Sequence, residues 1–470
     1  MTRMSGADPA AAPVFSRGYR AWLLFLLMVV NALNLADRQG MAATAPAIKA
    51  EFHLSDTQLG LIQGLGFAIF YSLLGLPIAR LAEVRSRTKI IAVSTLIFAA
   101  MVAACGTARN FFQFLGCRIG VAIGDAGFGP PVASLLGDHY PIQRRASALT
   151  IIWLGAPIGA LAGSALGGWV AQNADWRTWF YLLSIPGVLV AIAAFFTLRD
   201  PPRGYSDPAG TVTAGVKPPP MGEVLRFLFA KRSMRHILIG AALASMAMNG
   251  VGQFLARFIV AQYDVGFAEA GRTVGLIAVV AMASGLALGG FGMDWASKFD
   301  RRWYAWGPAI GLVLAAPMFV LAVTQPSLRQ CVPLLLAGHV TLFIYYTPTL
   351  AMGQNMVGAS MRASSAFVIS LVLGLVGIGL GPTLIGILSD LLAGNAFVGG
   401  DYSALCPGGS APAGSAADLV ARCSDASAAG ITRSIVAVSL LFAWAALHYL
   451  LASRHLVADL DRRYEGPATA

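Results

Sequence analysis

Asp37 and Arg38 stand side by side inside the first long apolar stretch of the 470-residue chain. A charge at that depth in a bilayer costs about 3 kcal/mol or more, so it persists only when paired or facing a wet cavity. Arg118, Asp125 and Arg257 interrupt later apolar stretches in the same way. The polar residues around these charges recur in sets: Asn31, Asn34 and Arg38; Arg118 and Asp125; Asn249, Gln253 and Arg257; His339 and Tyr346. Their spacings of three, four, seven or eight residues put each set on one helix face. Such stripes can hold an anion on the guanidiniums and carry a proton on the carboxylates.

The elements that position these residues must be membrane helices. Hydrophobic residues make up 57% of the chain and charged residues only 12%, too few charges for the surface of a soluble domain. Twelve windows are long and apolar enough to span: 20–44, 57–79, 89–108, 111–138, 146–171, 178–198, 235–263, 270–295, 303–324, 331–356, 363–393 and 432–453. The first is interrupted by Asn31, Asn34, Asp37 and Arg38 and has no small-residue cleavage site, so it reads as a span and not a cleaved signal. The polar stripes fall on spans 1, 4, 7 and 10, the first helix of each three-helix repeat, and in a fold of such repeats these line one cavity.

The net charge of +11 is a topology signal. With the N-terminus inside, the inside segments hold 23 Lys and Arg and the outside segments seven, which places both ends in the cytoplasm and excludes a nucleic-acid function. There is no phosphate-binding glycine loop and no metal-ligand spacing, so no cofactor or metal is expected and an ion gradient must supply the energy. Asp37 and Arg118 each lie roughly 11 Å in from the outer ends of spans 1 and 4, at 1.5 Å per residue, so they can meet. Asp125 is about 10 Å deeper on the same face and has no obvious basic partner. Arg257 offers a cation from the second half. The Asp37–Arg118 pair also has a purely structural reading, as neutralised charges that let two helices insert and pack. Asn249 and Gln253 can equally serve as interhelical hydrogen bonds, and His339 reads more readily as a satisfied polar residue than as a proton carrier.

The chain divides into a first six-span half (1–198), a cytoplasmic linker (199–234) with an amphipathic surface helix from Met221 to Ala230, and a second half (235–470) with an outer loop at 394–431. Gly155, Gly159, Gly163 and Gly167 in span 5, and Gly374, Gly377 and Gly381 in span 11, read as close-packing faces. Cys406 and Cys423 both fall in the outer loop, where a disulfide can persist. After span 2 comes Glu83 within a cluster that includes Arg85, Arg87 and Lys89, and after span 8 comes Asp294 before Lys298, Arg301 and Arg302. Glu83, Arg87 and Asp294 are therefore expected to gate the two halves at the cytoplasmic face.

The six-plus-six repeat, with both termini inside, resembles the major facilitator superfamily over nearly the whole chain. The loop after span 2 is similar to the superfamily's acidic and basic loop signature, with Glu83 where Asp is usual and Val84 where Arg is common. Asn34-Leu35-Ala36-Asp37-Arg38, Arg118, Gly124-Asp125-Ala126-Gly127 and Asp138-His139-Tyr140-Pro141 resemble the spinster family, in which the residue at position 125 is usually Glu. The resemblance implies an all-α integral membrane protein of two pseudosymmetric six-helix bundles. It implies a monomeric, proton-coupled transporter of the bacterial inner membrane, moving an anionic or lysolipid-like molecule. Protons and membrane lipids are its other partners. An organic-anion or drug transporter of another branch would carry the same stripes.

Overall fold

The computed structural model describes residues 15–140, 142–201, 221–357 and 362–461. Among them, twelve helices are long and apolar enough to cross a membrane, from Arg17–Phe52 to Ala417–Asp461. Polar caps begin several of them. Ser16 and Asn110 accept the backbone N–H of Tyr19 (3.1 Å) and Gln113 (3.0 Å), satisfying donors that a helix start leaves open. Met221–Ala230 is a helix that buries Val224 and Leu228. The rest of the linker, 202–220, lies outside the described residues.

Two six-helix halves pack by the same rule. Gly155, Gly159, Gly163 and Gly167 of span 5 (Ala148–Asn173) lie against the backbone of Met28, Ala32, Ala36 and Gly40 of span 1 (Arg17–Phe52). Gly377 and Gly381 of span 11 (Phe367–Ala396) lie against Ser245 and Met246 of span 7 (Arg232–Tyr263). With lipid removing the hydrophobic drive, backbone approach at small residues is what holds such helices together. Gly374 meets nothing within 4 Å and takes no part.

The halves meet at the face opposite the basic loops. Gly168 packs on the Phe267 carbonyl and Gly271 on that of Ser164, joining spans 5 and 8; Gly60 packs on Pro382 and Gly386 on Asp56, joining spans 2 and 11. Span 2 is broken into helices Asp56–Gln63 and Leu65–Val84 at Gly64 (φ −111°, ψ −101°). Span 11 carries a π-helical stretch, Leu373–Leu380, at the same level. The Gly379 carbonyl approaches Gly64 too closely for any Cβ.

The outer loop departs from its expected bounds. Only its first part is irregular, because Ala417–Asp461 is one continuous helix of 45 residues; the Ala-rich stretch after Ser415 favours helix strongly enough to extend span 12 outward. Cys406 and Cys423 are disulfide-bonded and buried, tying the loop to that helix.

Candidate functional site

Spans 1 and 4 (Phe111–His139) are joined by two ion pairs of opposite polarity. Arg118 Nη1 donates to Asp37 Oδ2 at 2.7 Å, with the two side chains 3% and 1% exposed. One residue along span 1, Arg38 donates to Asp125. Asp125 thus has the basic partner that spacing along its own helix could not show, because Arg38 reaches across from span 1. Phe67 of span 2 lies between the two guanidiniums, 4.5 Å from Arg38 and 5.8 Å from Arg118, and Tyr71 stacks on Arg38 at 5.6 Å. Each ring face adds a cation–π attraction of about 0.5–2 kcal/mol.

These pairs border a small cavity of about 80 Å³, lined by Arg38, Gln39, Gln63, Phe67 and Arg118 from the first half and by Asn249, Gln253 and Ile378 from the second. Asn249 donates to the Ser245 carbonyl of its own helix at 2.9 Å. Asp37 Oδ1, Arg38 Nε, Arg118 Nε and both amide atoms of Gln63 are buried without a protein hydrogen-bond partner. The site therefore holds unspent donors and acceptors around two charged pairs, an arrangement suited to exchanging partners with a polar ligand.

Several expected residues lie elsewhere. Asn34 is buried but does not line the cavity. The His339 ring Nδ1 sits 2.8 Å from the Leu335 carbonyl and its ring packs on Phe319, the satisfied polar residue of the simpler reading. Tyr346 is 36% exposed and packs against Tyr345; it does not line this cavity but lies near Tyr71, the ring that stacks on Arg38. Arg257 is not a cavity cation: it is paired with Asp56 of span 2, and its Nη2 donates to Ser427 Oγ at 3.0 Å. A carboxylate from the other half, hundreds of residues away in sequence, captured it.

Asp56 is the centre of a second charged cluster that sequence spacing missed. His53 closes span 1 in the left-handed region (φ 50°), and this turn returns the chain so that Asp56 pairs with Lys49. Ser389 Oγ donates to Asp56 Oδ2 at 2.6 Å. Asp390 of span 11 accepts the backbone N–H groups of Asp56 (2.9 Å) and Thr57 (2.7 Å), capping a helix of the opposite half. Tyr402, in the loop above, is half-buried beside this cluster, and burial raises its phenol above the ordinary value. One signal was available: Asp390 interrupts the apolar run Ile387-Leu388-Ser389-Asp390-Leu391-Leu392.

The expected gating residues whose side chains are described pair here without crossing between the halves. Arg87 is 1% exposed and binds Asp138 of the first half, and Asp200 Oδ1 (2.8 Å from Nε) and the Pro201 carbonyl (2.8 Å) at the start of the linker. It braces span 3, the end of span 4 and the start of the linker; a latch across the halves at this face is expected only when the opposite face is open. Asp294 accepts from Tyr304 Oη at 2.7 Å within the second half. The side chain of Glu83 lies outside the described residues.

Residues 27–382 match the sequence profile of the Major Facilitator Superfamily. The chain belongs to that superfamily. Its spinster-like branch is shown by a crystal structure of a bacterial homologue of the human lysosomal transporter spinster, in an inward-facing, unoccupied conformation: TM-score 0.84, 32% identity, 95% of this chain and 99% of that one covered. An MFS-type efflux pump of Mycolicibacterium smegmatis is 28% identical over 79% of this chain and 85% of its own length. A cis,cis-muconate transport protein of Acinetobacter baylyi is 24% identical over 64% and 73% respectively. In this spinster-like protein the cavity charges come from spans 1 and 4, and the charged contacts between halves from spans 1, 2, 7 and 11.

Proposed function

We propose that this spinster-like protein is a proton-coupled secondary transporter, in a bacterial inner membrane with both termini cytoplasmic, that moves an anionic or amphiphilic, lysolipid-like small molecule by alternating access. The observation that carries this reading is the double pair Asp37–Arg118 and Arg38–Asp125, whose two arginines line the cavity. An anionic headgroup that takes Arg118 leaves Asp37 buried without its cation. Burial then favours the neutral form of the acid, so Asp37 takes up a proton, and the adjacent Arg38–Asp125 pair offers a second exchange of the same kind. Substrate and proton occupancy become linked because both compete for the same ion pair. The charged cluster around Asp56 closes the outer side, in keeping with the likeness to an inward-facing relative. The two halves rock about the midplane to open it.

A second reading, a transporter of small organic anions, draws support from the likeness to the cis,cis-muconate transport protein and from the amide groups lining the cavity. Reconstituted vesicles with an imposed pH gradient test both. Gradient-driven movement of lysolipids but not short acids supports the first, and the reverse supports the second. Asp37→Asn and Asp125→Asn are expected to abolish gradient-driven accumulation while leaving exchange, because Asn keeps size and hydrogen bonding but carries no proton. Accumulation at the unmodified rate in both variants would remove the proton role.

A further inference from the structure

Gln63 is 6% exposed, lines the cavity, and leaves both its amide oxygen and its amide nitrogen without a protein partner. A buried, wholly unpaired amide is costly, about 1–3 kcal/mol for each unsatisfied group, and native structures rarely tolerate one without a reason. Here the backbone explains its position. Gln63 is the last residue of the helix Asp56–Gln63, and Gly64, which follows it, is held by the Gly379 carbonyl of the opposite half. The break in span 2 thus turns the amide into the cavity at the level where the halves touch. Arg38, Arg118, Gln39, Asn249 and Gln253 border the same space.

Resting on the anion reading above, we infer that Gln63 makes this cavity selective for anions that carry hydroxyl groups next to the charge. A hydroxyl both donates and accepts, so it answers the amide oxygen and the amide nitrogen, while the neighbouring carboxylate or phosphate takes Arg118. Water can fill the amide's place when the cavity is empty, and a ligand that displaces it must reproduce its hydrogen bonds or lose affinity. A methylene in that place strands the amide; a site built to bond a hydroxyl rejects an analogue lacking it far more strongly than an apolar pocket does. The shared chemistry is a hydroxylated anion, whether a free sugar acid or the headgroup of a lysolipid.

Isothermal titration of the purified full chain in detergent tests the inference in two arms. One compares gluconate with hexanoate, and the other compares lysophosphatidylglycerol with lysophosphatidylmethanol of the same acyl chain. In each productive arm the hydroxylated member should bind at least about tenfold tighter, and Gln63→Leu should erase most of that ratio. Gln63→Asn, which keeps the amide on a shorter stem, should restore part of it and so separates hydrogen bonding from misfolding. The arm that shows the ratio identifies the source of the ligand. A ratio near one in both arms, or one that survives Gln63→Leu, overturns the inference while leaving the anion site standing. Sorbitol binding as tightly as gluconate overturns the anion reading itself, and this inference with it.

Discussion

The charged cluster of spans 1 and 4 and the cluster around Asp56 use the same chemistry in different mechanical positions. Asp37–Arg118 and Arg38–Asp125 lie wholly within the first half, so rocking of the halves leaves their partners in reach. Asp56 joins Lys49 of its own half to Arg257 and Ser389 of the other, so under the proposed alternating access that cluster must come apart each time the outer side opens. The difference separates two uses of a buried ion pair. Inside one half it can store a protonation site; between halves it sets the balance of conformations.

Removing one partner of a buried pair strands the other and costs about 3–5 kcal/mol, so the largest expected effect belongs to Arg118→Ala. It should weaken substrate binding by about a hundredfold or more and lower thermal stability, as titration and thermal unfolding of the purified protein would record. Retained affinity would show that Arg118 is purely structural. Arg87→Ala removes a brace of comparable burial within the same half, and should cost about 3 kcal/mol of stability. Because Arg87 lies off the cavity, the ratio of proton-driven uptake to exchange should stay as it is; a changed ratio would break the division drawn between brace and transport site.

The disulfide sharpens the comparison from outside. Cys423→Ser opens a loop whose closure contributes roughly 3 kcal/mol by chain entropy, or less where the unfolded chain retains structure. The loop covers the Asp56 cluster, with Gly408 packed on His53 and Gly409 close to Lys49. Thermal unfolding should therefore shift down while vesicle transport persists. The clearest conformational readout is expected for Asp56→Asn, where opening the halves returns the two stranded cations to water and so relieves most of the cost of a broken buried pair. It leaves Lys49 and Arg257 facing each other across the halves, and should move the equilibrium toward the outward-open state by about 1–3 kcal/mol, a factor of roughly 5–150. Spin labels at Thr57→Cys and Leu391→Cys would report this as a longer distance. An unaltered distance distribution would mean that glycine packing between spans 2 and 11, and not the charges, holds the outer side shut.

Span number, the stripes on spans 1 and 4 and the meeting of Asp37 with Arg118 were legible in the amino-acid order, because hydropathy and the 3.6-residue period act along one helix. The small-residue faces of spans 5 and 11 were legible for the same reason. The partner of Asp125, the capture of Arg257 by Asp56, the cap that Asp390 places on span 2 and the inward turn of Gln63 at Gly64 were not. Each depends on a helix from elsewhere in the chain, or on a backbone break forced by a neighbour's carbonyl. Periodicity states which face of a helix is polar; only the packed bundle decides what that face meets, because ion pairs form between whichever charges the close approach of small residues brings within reach.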